Sequence, residues 1–208
     1  MEIGSAPRRL PPAQRREQLI DAALTVAARE GHERLAFEAV ANQAGVTRNL
    51  VYHYFPGGRQ ELVEAAVHRA GEVLSSGWVT DLDVPLPERL AANLNRMMDH
   101  AEEPTDAWLL YRQSRGIVDP RLLEIAARYR ERVISMIALN QLGNSKPPPI
   151  VHTAIDGLLA YVETVIETAL AEGVDRERVV AVVAPALTAT IDAAVSAAAE
   201  SRAGDSTA

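Results

Sequence analysis

Four side chains in the run "VTRNLVYHYF" carry groups suited to base edges and phosphates: the Arg48 guanidinium, the Asn49 amide, the Tyr52 phenol and the His53 imidazole. At about 100° per residue, a helix puts these four on one side and Val51, Tyr54 and Phe55 on the other. Guanidinium and amide groups match the donor and acceptor patterns of base edges, and all four types can meet phosphate oxygens. Leu50 falls on the border between the two faces. Thr47 stands one residue ahead, where its hydroxyl can cap the helix. A plain αα-corner with a solvated face would show the same pattern, so the surrounding residues must decide.

Other chemistries find little support. The chain has no cysteine, which excludes disulfides, thiolate metal sites and a cysteine nucleophile. Its five histidines, His32, His53, His68, His100 and His152, are scattered. There is no Glu-x-x-His pair, aspartate-rich box or phosphate-cradling glycine loop. Glu64 and His68 are four residues apart, but two ligands make no metal site. No metal, no cofactor and no catalytic residue is therefore expected. Two alternatives stay open: an all-α small-molecule enzyme, revealed by steady turnover of a bound compound, and an effector-independent architectural dimer on DNA, favoured if no metabolite shifts its melting.

The elements that must position the four side chains are helical throughout. Hydrophobic residues make up 48% of the 208 residues but aromatics only 4%, a composition that favours closely packed helices over sheet. Pro11 and Pro12 open a first helix, ended by Gly31. Helices follow at about Phe37–Ala44 and Thr47–Tyr54, then at Arg59–Trp78, at Pro87 onward, and through "PTDAWLLYRQSRGIV". The last three run from Pro120 to about Gln141, from Pro149 to Glu172 and from Arg176 to Glu200. An all-α fold of about nine helices without strands is expected. The charge is uneven: residues 1–70 hold nine Arg against eight Asp and Glu, and the remainder twelve Lys and Arg against twenty Asp and Glu. Only the front part suits a polyanion.

The small Ala41, the turn residue Gly45 and the wedge of Val40, Val46 and Val51 have the spacing of a helix-turn-helix. From "RREQLIDAALTVAAREG" through "VANQAGVTRNLVYHYFPGGRQELVEAAV", the chain resembles the N-terminal domain of TetR-family transcription regulators, over residues 13–68. The resemblance implies a homodimer whose third helix enters the major groove of a near-palindromic operator, with repression relieved by a small ligand. It implies that Thr47, Arg48, Asn49, Leu50, Tyr52 and His53 form the DNA-contacting face. Arg59 matches a lysine that grips phosphate. Two positions depart from the family: Ala36 and Leu50 stand where threonine is usual, so a phosphate contact is lost and Leu50 can meet a thymine methyl. Arg8 and Arg9 lie on an arm that could follow the minor groove, but an unstructured tail is the preferred reading.

The expected division is a flexible arm at 1–12, a helix-turn-helix domain at 13–58, an effector-binding and dimerisation domain at 59–200 and a disordered tail at 201–208. In the third part, Trp108, Tyr111, Arg112 and Arg115 share one helix face, and Met97 and His100 lie on the helix before. Each alone is explained by ordinary packing. Together with His152 and Ile155 they suit a pocket for a mainly apolar small molecule. The stretch Val179–Ala199 imitates a membrane span, but its small residues suit helix packing, and no membrane contact is expected. The apolar excess of the last two helices, with Leu158, Val162, Val183, Leu187 and Ile191, is assigned to a dimer interface. The start "MEIGSAPRRLPPAQ" has no apolar stretch for an export signal, so the expected compartment is the cytoplasm.

Overall fold

The computed structural model describes residues 10–113 and 118–205, and for 201–205 the helix backbone alone. Arg8, Arg9 and Arg115 lie outside the described residues. Within them the fold is all-α, without strands: α1 Pro12–Glu30, α2 Phe37–Ala44, α3 Arg48–Tyr54, α4 Gly58–Ser75, α5 Leu86–Glu102, α6 Asp106–Gln113, α7 Pro120–Leu142, α8 Pro149–Glu172 and α9 Arg176–Asp205. A 3-10 turn, His32–Arg34, joins α1 to α2.

The chain forms two compact units. The first runs up to Leu74 and takes in Asp106–Ala126; the second comprises Ser75–Thr105 and the chain from Ala127 onward. The sequence places the boundary at residue 58, whereas α4 and α6 fold with the helix-turn-helix. Polar contacts explain why. Arg69 of α4 pairs with Glu17 and, at 3.0 Å, with Asp21 of α1. Thr25 of α1 donates to Asp106 at 2.6 Å, and Gln113 of α6 donates to the Ala28 carbonyl at 2.8 Å.

In the first unit, Leu19, Ala23 and Ala27 of α1 are fully buried, and so are Val40, Val51, Phe55, Leu62 and Ala66 from the three helices that follow. Alanines at the contact face let neighbouring helices approach closely. The tight corner between α2 and α3 turns on Gly45 (φ 65°, ψ 37°). Its amide donates to the Asn42 carbonyl at 3.2 Å and that of Val46 to the Ala41 carbonyl at 2.9 Å. These bonds satisfy carbonyls that the end of a helix leaves open.

In the second unit, α5, the later part of α7, α8 and α9 enclose two apolar clusters. One joins Leu90, Leu94 and Met98 of α5 to Val162 and Ile166 of α8 and to Val179, Val183 and Leu187 of α9. The other joins Ile134 and Ala138 of α7 to Val151, Ile155 and Leu159 of α8 and to Ile191 of α9. The five residues assigned from sequence to a dimer interface pack here, inside one chain. Val183 and Ile191 have no exposure, Val162 and Leu187 are buried, and Leu158 is half-buried against both clusters. A side chain without exposure has no surface to give a second chain, so Val183 and Ile191 are core, as are the buried Val162 and Leu187, while Leu158 keeps part of its surface. Both α8 and α9 are long and apolar enough by composition to cross a membrane, and their inner faces form this core.

Two helix ends differ from the sequence reading. α4 stops at Ser75, not Trp78, because Gly77 takes a left-handed φ of 72°, and the Arg96 guanidinium would lie 2.9 Å from a Cβ at that position. α9 continues past Glu200 to Asp205. The positive φ at Gly45 carries a direct test: Gly45→Ala is expected to destabilise the protein by about 1–2 kcal/mol, and Gly45→Asn by less. Urea unfolding followed by circular dichroism measures both.

Candidate nucleic-acid interface and ligand cavity

α3 has seven residues, and its two faces separate sharply. Val51 is fully buried, while Arg48, Asn49, Tyr52 and His53 are exposed and Leu50 is half-buried. Phe55, the residue closing the helix, is also fully buried. Thr47 is the N-cap, its hydroxyl accepting from the Leu50 amide at 3.4 Å. Phe37, at the start of α2, stacks on Tyr52 with ring centroids 4.2 Å apart and planes 8° from parallel. Arg48 donates to the Tyr52 hydroxyl at 2.8 Å and lies 5.2 Å from the centre of its ring. The hydrogen bond it donates to Tyr52, and then the charge of the ionised phenol, raise the pKa of this guanidinium above its usual value. Phe37 therefore holds Tyr52, and Tyr52 orients Arg48. Phe37 was not singled out from sequence. Its signal is an aromatic at the head of α2 in a chain with only two phenylalanines.

Arg59 is placed differently from a free phosphate ligand. Its Nε donates to the Leu35 carbonyl at 3.1 Å, and its Nη2 donates to the carbonyls of His32, at 2.7 Å, and Glu33. The side chain thus ties the start of α4 to the connection between α1 and α2. The Glu61 carboxylate accepts from the Gly57 amide at 2.9 Å, closing the "PGG" turn, and Arg16 lies 5.1 Å from the centre of the Phe55 ring.

Residues 19–66 match the family described as bacterial regulatory proteins, tetR family. The HTH-type transcriptional regulator BetI of Brucella abortus is 33% identical over 141 residues, which cover 62% of this chain and 67% of that protein. The chain belongs to the TetR family. This is a family of transcriptional regulators, not of enzymes. An uncharacterised HTH-type regulator of Mycobacterium tuberculosis is 41% identical over 58 residues, and the match spans 28% of this chain and only 29% of that regulator's length. A tetR-family regulator from Streptomyces coelicolor shares the fold with a TM-score of 0.72 at 24% identity, over 90% of this chain and 84% of that one. The multidrug binding protein EbrR, in complex with imidazole, shares it with a TM-score of 0.57 at 24% identity, over 81% of this chain and 92% of that one.

The second unit contains a cavity between α5, α7, α8 and α9, with about 40 Å³ of free space. Of the eight ligand residues expected from sequence, Met97 and Ile155 line it. His100 is not on its wall; burial, and then the charge of Arg96, lower its pKa, which keeps the imidazole neutral near pH 7. His152 is half-buried and pairs with Glu131 at 2.7 Å. Trp108, Tyr111 and Arg112 belong to the first unit, where Trp108 is buried and its ring centre lies 5.8 Å from that of Tyr111.

Asn93, Asn140, Gln141 and Trp78 also line the cavity, and the surface they turn to it is apolar. Asn93 accepts from the Val79 amide at 2.8 Å and donates to the Val79 carbonyl at 3.1 Å, to which Asn140 also donates. The buried Arg89 donates to the Asn140 side chain at 3.1 Å and to the carbonyls of Asn140 (2.6 Å), Asp81 (3.2 Å) and Val84 (2.7 Å). The connection from α4 to α5 is thereby fastened over the cavity. Sequence offered one sign of this: Arg89 and Asn93 interrupt a stripe whose other members, Leu90 and Leu94, are core residues.

The contacts of Arg59 lead to a measurable outcome. Arg59→Ala is expected to lower stability by about 1–3 kcal/mol, because carbonyl partners of a charged donor are abandoned. Thermal unfolding checks this. A loss confined to DNA binding and its salt dependence, with unchanged stability, would return Arg59 to a phosphate role.

Proposed function

We propose that the protein is a homodimeric transcriptional repressor that binds a near-palindromic operator through α3 and is released by a small, mainly apolar ligand held in the second unit. The observation that carries the reading is the exposed set Arg48, Asn49, Tyr52 and His53 on a helix whose other side is fixed by Val51 and Phe55. The Tyr52–Phe37 stack and the Arg48–Tyr52 bond hold two of the four in place before DNA arrives, which reduces the ordering cost of binding. Membership of the TetR family supports DNA as the partner, and EbrR, named as a multidrug binding protein, supports a small-molecule site on this fold.

The ligand's route to DNA begins at the cavity. Trp78, Asn93 and Asn140 line it, and the last two grip Val79 in the connection that continues from α4. A ligand that displaces this connection pulls on a helix whose other end sits beside α3. Because coupling is reciprocal, operator and ligand then weaken each other by the same factor.

The dimer uses the outer faces of α8 and α9. Tyr161 on α8 and Val182 and Val195 on α9 are exposed apolar residues, and the neighbouring Pro185 and Ala189 are exposed as well. Two copies joined there form an isologous four-helix contact around a two-fold axis, which sets two α3 helices on one face of a duplex.

Two sets of variants test the reading. Asn49→Ala is expected to relax base preference and to cost roughly 1–3 kcal/mol on the operator, with little change on random DNA, in competition gel shifts. Equal losses on both would remove Asn49 from base reading. Val182→Arg is expected to give a folded monomer with weak operator affinity, whereas Val183→Arg, in the core, should unfold the second unit. Sedimentation and circular dichroism separate the two; a dimeric Val182→Arg protein places the interface elsewhere.

A further inference from the structure

Arg48 is the first residue of α3, and the N-terminal residues of a recognition helix are the ones that reach base edges. An exposed arginine ordinarily samples many rotamers, and ordering it cancels part of what a base contact contributes. Here two contacts restrict it. Its Nη2 donates to the Tyr52 hydroxyl at 2.8 Å, and its guanidinium carbon lies 5.2 Å from the centre of the Tyr52 ring. Tyr52 is itself 44% exposed, so it needs a support of its own. Phe37 supplies one, with ring centroids 4.2 Å apart and planes 8° from parallel. Phe37 is buried at the start of α2. The contacts therefore run from the interior of the first unit through Phe37 and Tyr52 to Arg48.

The bond to Tyr52 uses one guanidinium hydrogen and leaves the others for DNA. A guanidinium presents paired donors, and in the major groove guanine alone presents paired acceptors, O6 and N7. A fork held in one direction can require that match, whereas a mobile one settles on any nearby phosphate. Glu38, in the first turn of α2, favours the base as well. Its negative charge acts on the same guanidinium. It opposes the full charge of a phosphate more than the partial charges of O6 and N7.

We propose that Arg48 reads one guanine in each half-site, and that Phe37 is a positioning residue for this contact, acting through Tyr52 without touching DNA. The proposal rests on α3 as the reader of bases, given above. It adds which base is read and what aims the side chain that reads it.

Duplexes selected from a random pool by the full-length protein supply the site, and competition gel shifts compare it with copies carrying each other base at every position. The unaltered protein is expected to prefer guanine at one position of each half-site by roughly tenfold or more. Arg48→Ala should abolish the preference there and keep it elsewhere. Tyr52→Phe retains a ring that can stack but no hydroxyl, and should cut the guanine preference roughly three- to tenfold. Phe37→Leu should cut it to a similar extent, and Phe37→Tyr, which keeps a stacking ring, should preserve it. Total affinity is scored apart, because a lost phosphate contact weakens every sequence alike. Circular dichroism checks folding, and Tyr52→Phe, at a half-exposed site, keeps the test decisive if Phe37→Leu unfolds. The proposal is overturned if Arg48→Ala weakens all sequences alike, or if the base it ceases to read is not guanine. Undiminished guanine preference in Tyr52→Phe, or in a folded Phe37→Leu protein, overturns it too. A pool with no shared motif removes α3 as the reader of bases; a motif whose guanine survives these variants counts against this proposal alone.

Discussion

A helix of two turns does not hold its shape in water, because each hydrogen bond gained at that length is outweighed by the ordering it requires. α3 has seven residues, so its geometry is borrowed from the interior of the first unit through Val51 and Phe55. Everything near it serves that anchorage. Gly45 lets α2 turn into α3, Thr47 caps it, and Arg16 lies against Phe55. Arg59 fixes the next helix to the connection ahead of α2. With one side committed to the core, the four polar side chains on the other project from a rigid base. That is what a reader of base edges requires, since a displaced donor loses the bidentate match.

Much of this was legible in the sequence, for a physical reason. Gly45, the valines around it and the alternation of polar and apolar residues along α3 are local signals, and local sequence fixes them. The same holds for the bounds of α8, where prolines open the helix and Gly173 ends it. Arg59 was legible as a residue but not in its contacts, because its partners are carbonyls on residues 32 to 35, which carry no side-chain signature. The apolar excess of α8 and α9 was visible too. Sequence could not divide that excess between the packing of α8 on α9 and a surface left over, so Val183, Leu187 and Ile191 looked like interface and are core. Trp108 and Tyr111 have the composition of a pocket wall, yet they fold with the first unit.

The second unit carries a different kind of constraint. A buried arginine paired with no carboxylate among the described residues is expensive, and it is retained here by four bonds to amide oxygens that gather Asp81, Val84 and Asn140 around it. Together with Asn93 on Val79, these bonds make the connection after α4 part of the cavity's wall rather than a loose loop. Asn93 and Asn140 line the cavity and also hold Val79 in the connection that leads back to α4.

The reading of DNA by α3 is tested most directly by selecting bound duplexes from a random pool with the full-length protein and sequencing them. Enrichment of two inverted half-sites, their centres about one DNA turn or a multiple of it apart, is the result that a two-fold pair of α3 helices produces. Selected duplexes with no shared motif, or with one unpaired half-site, would contradict it.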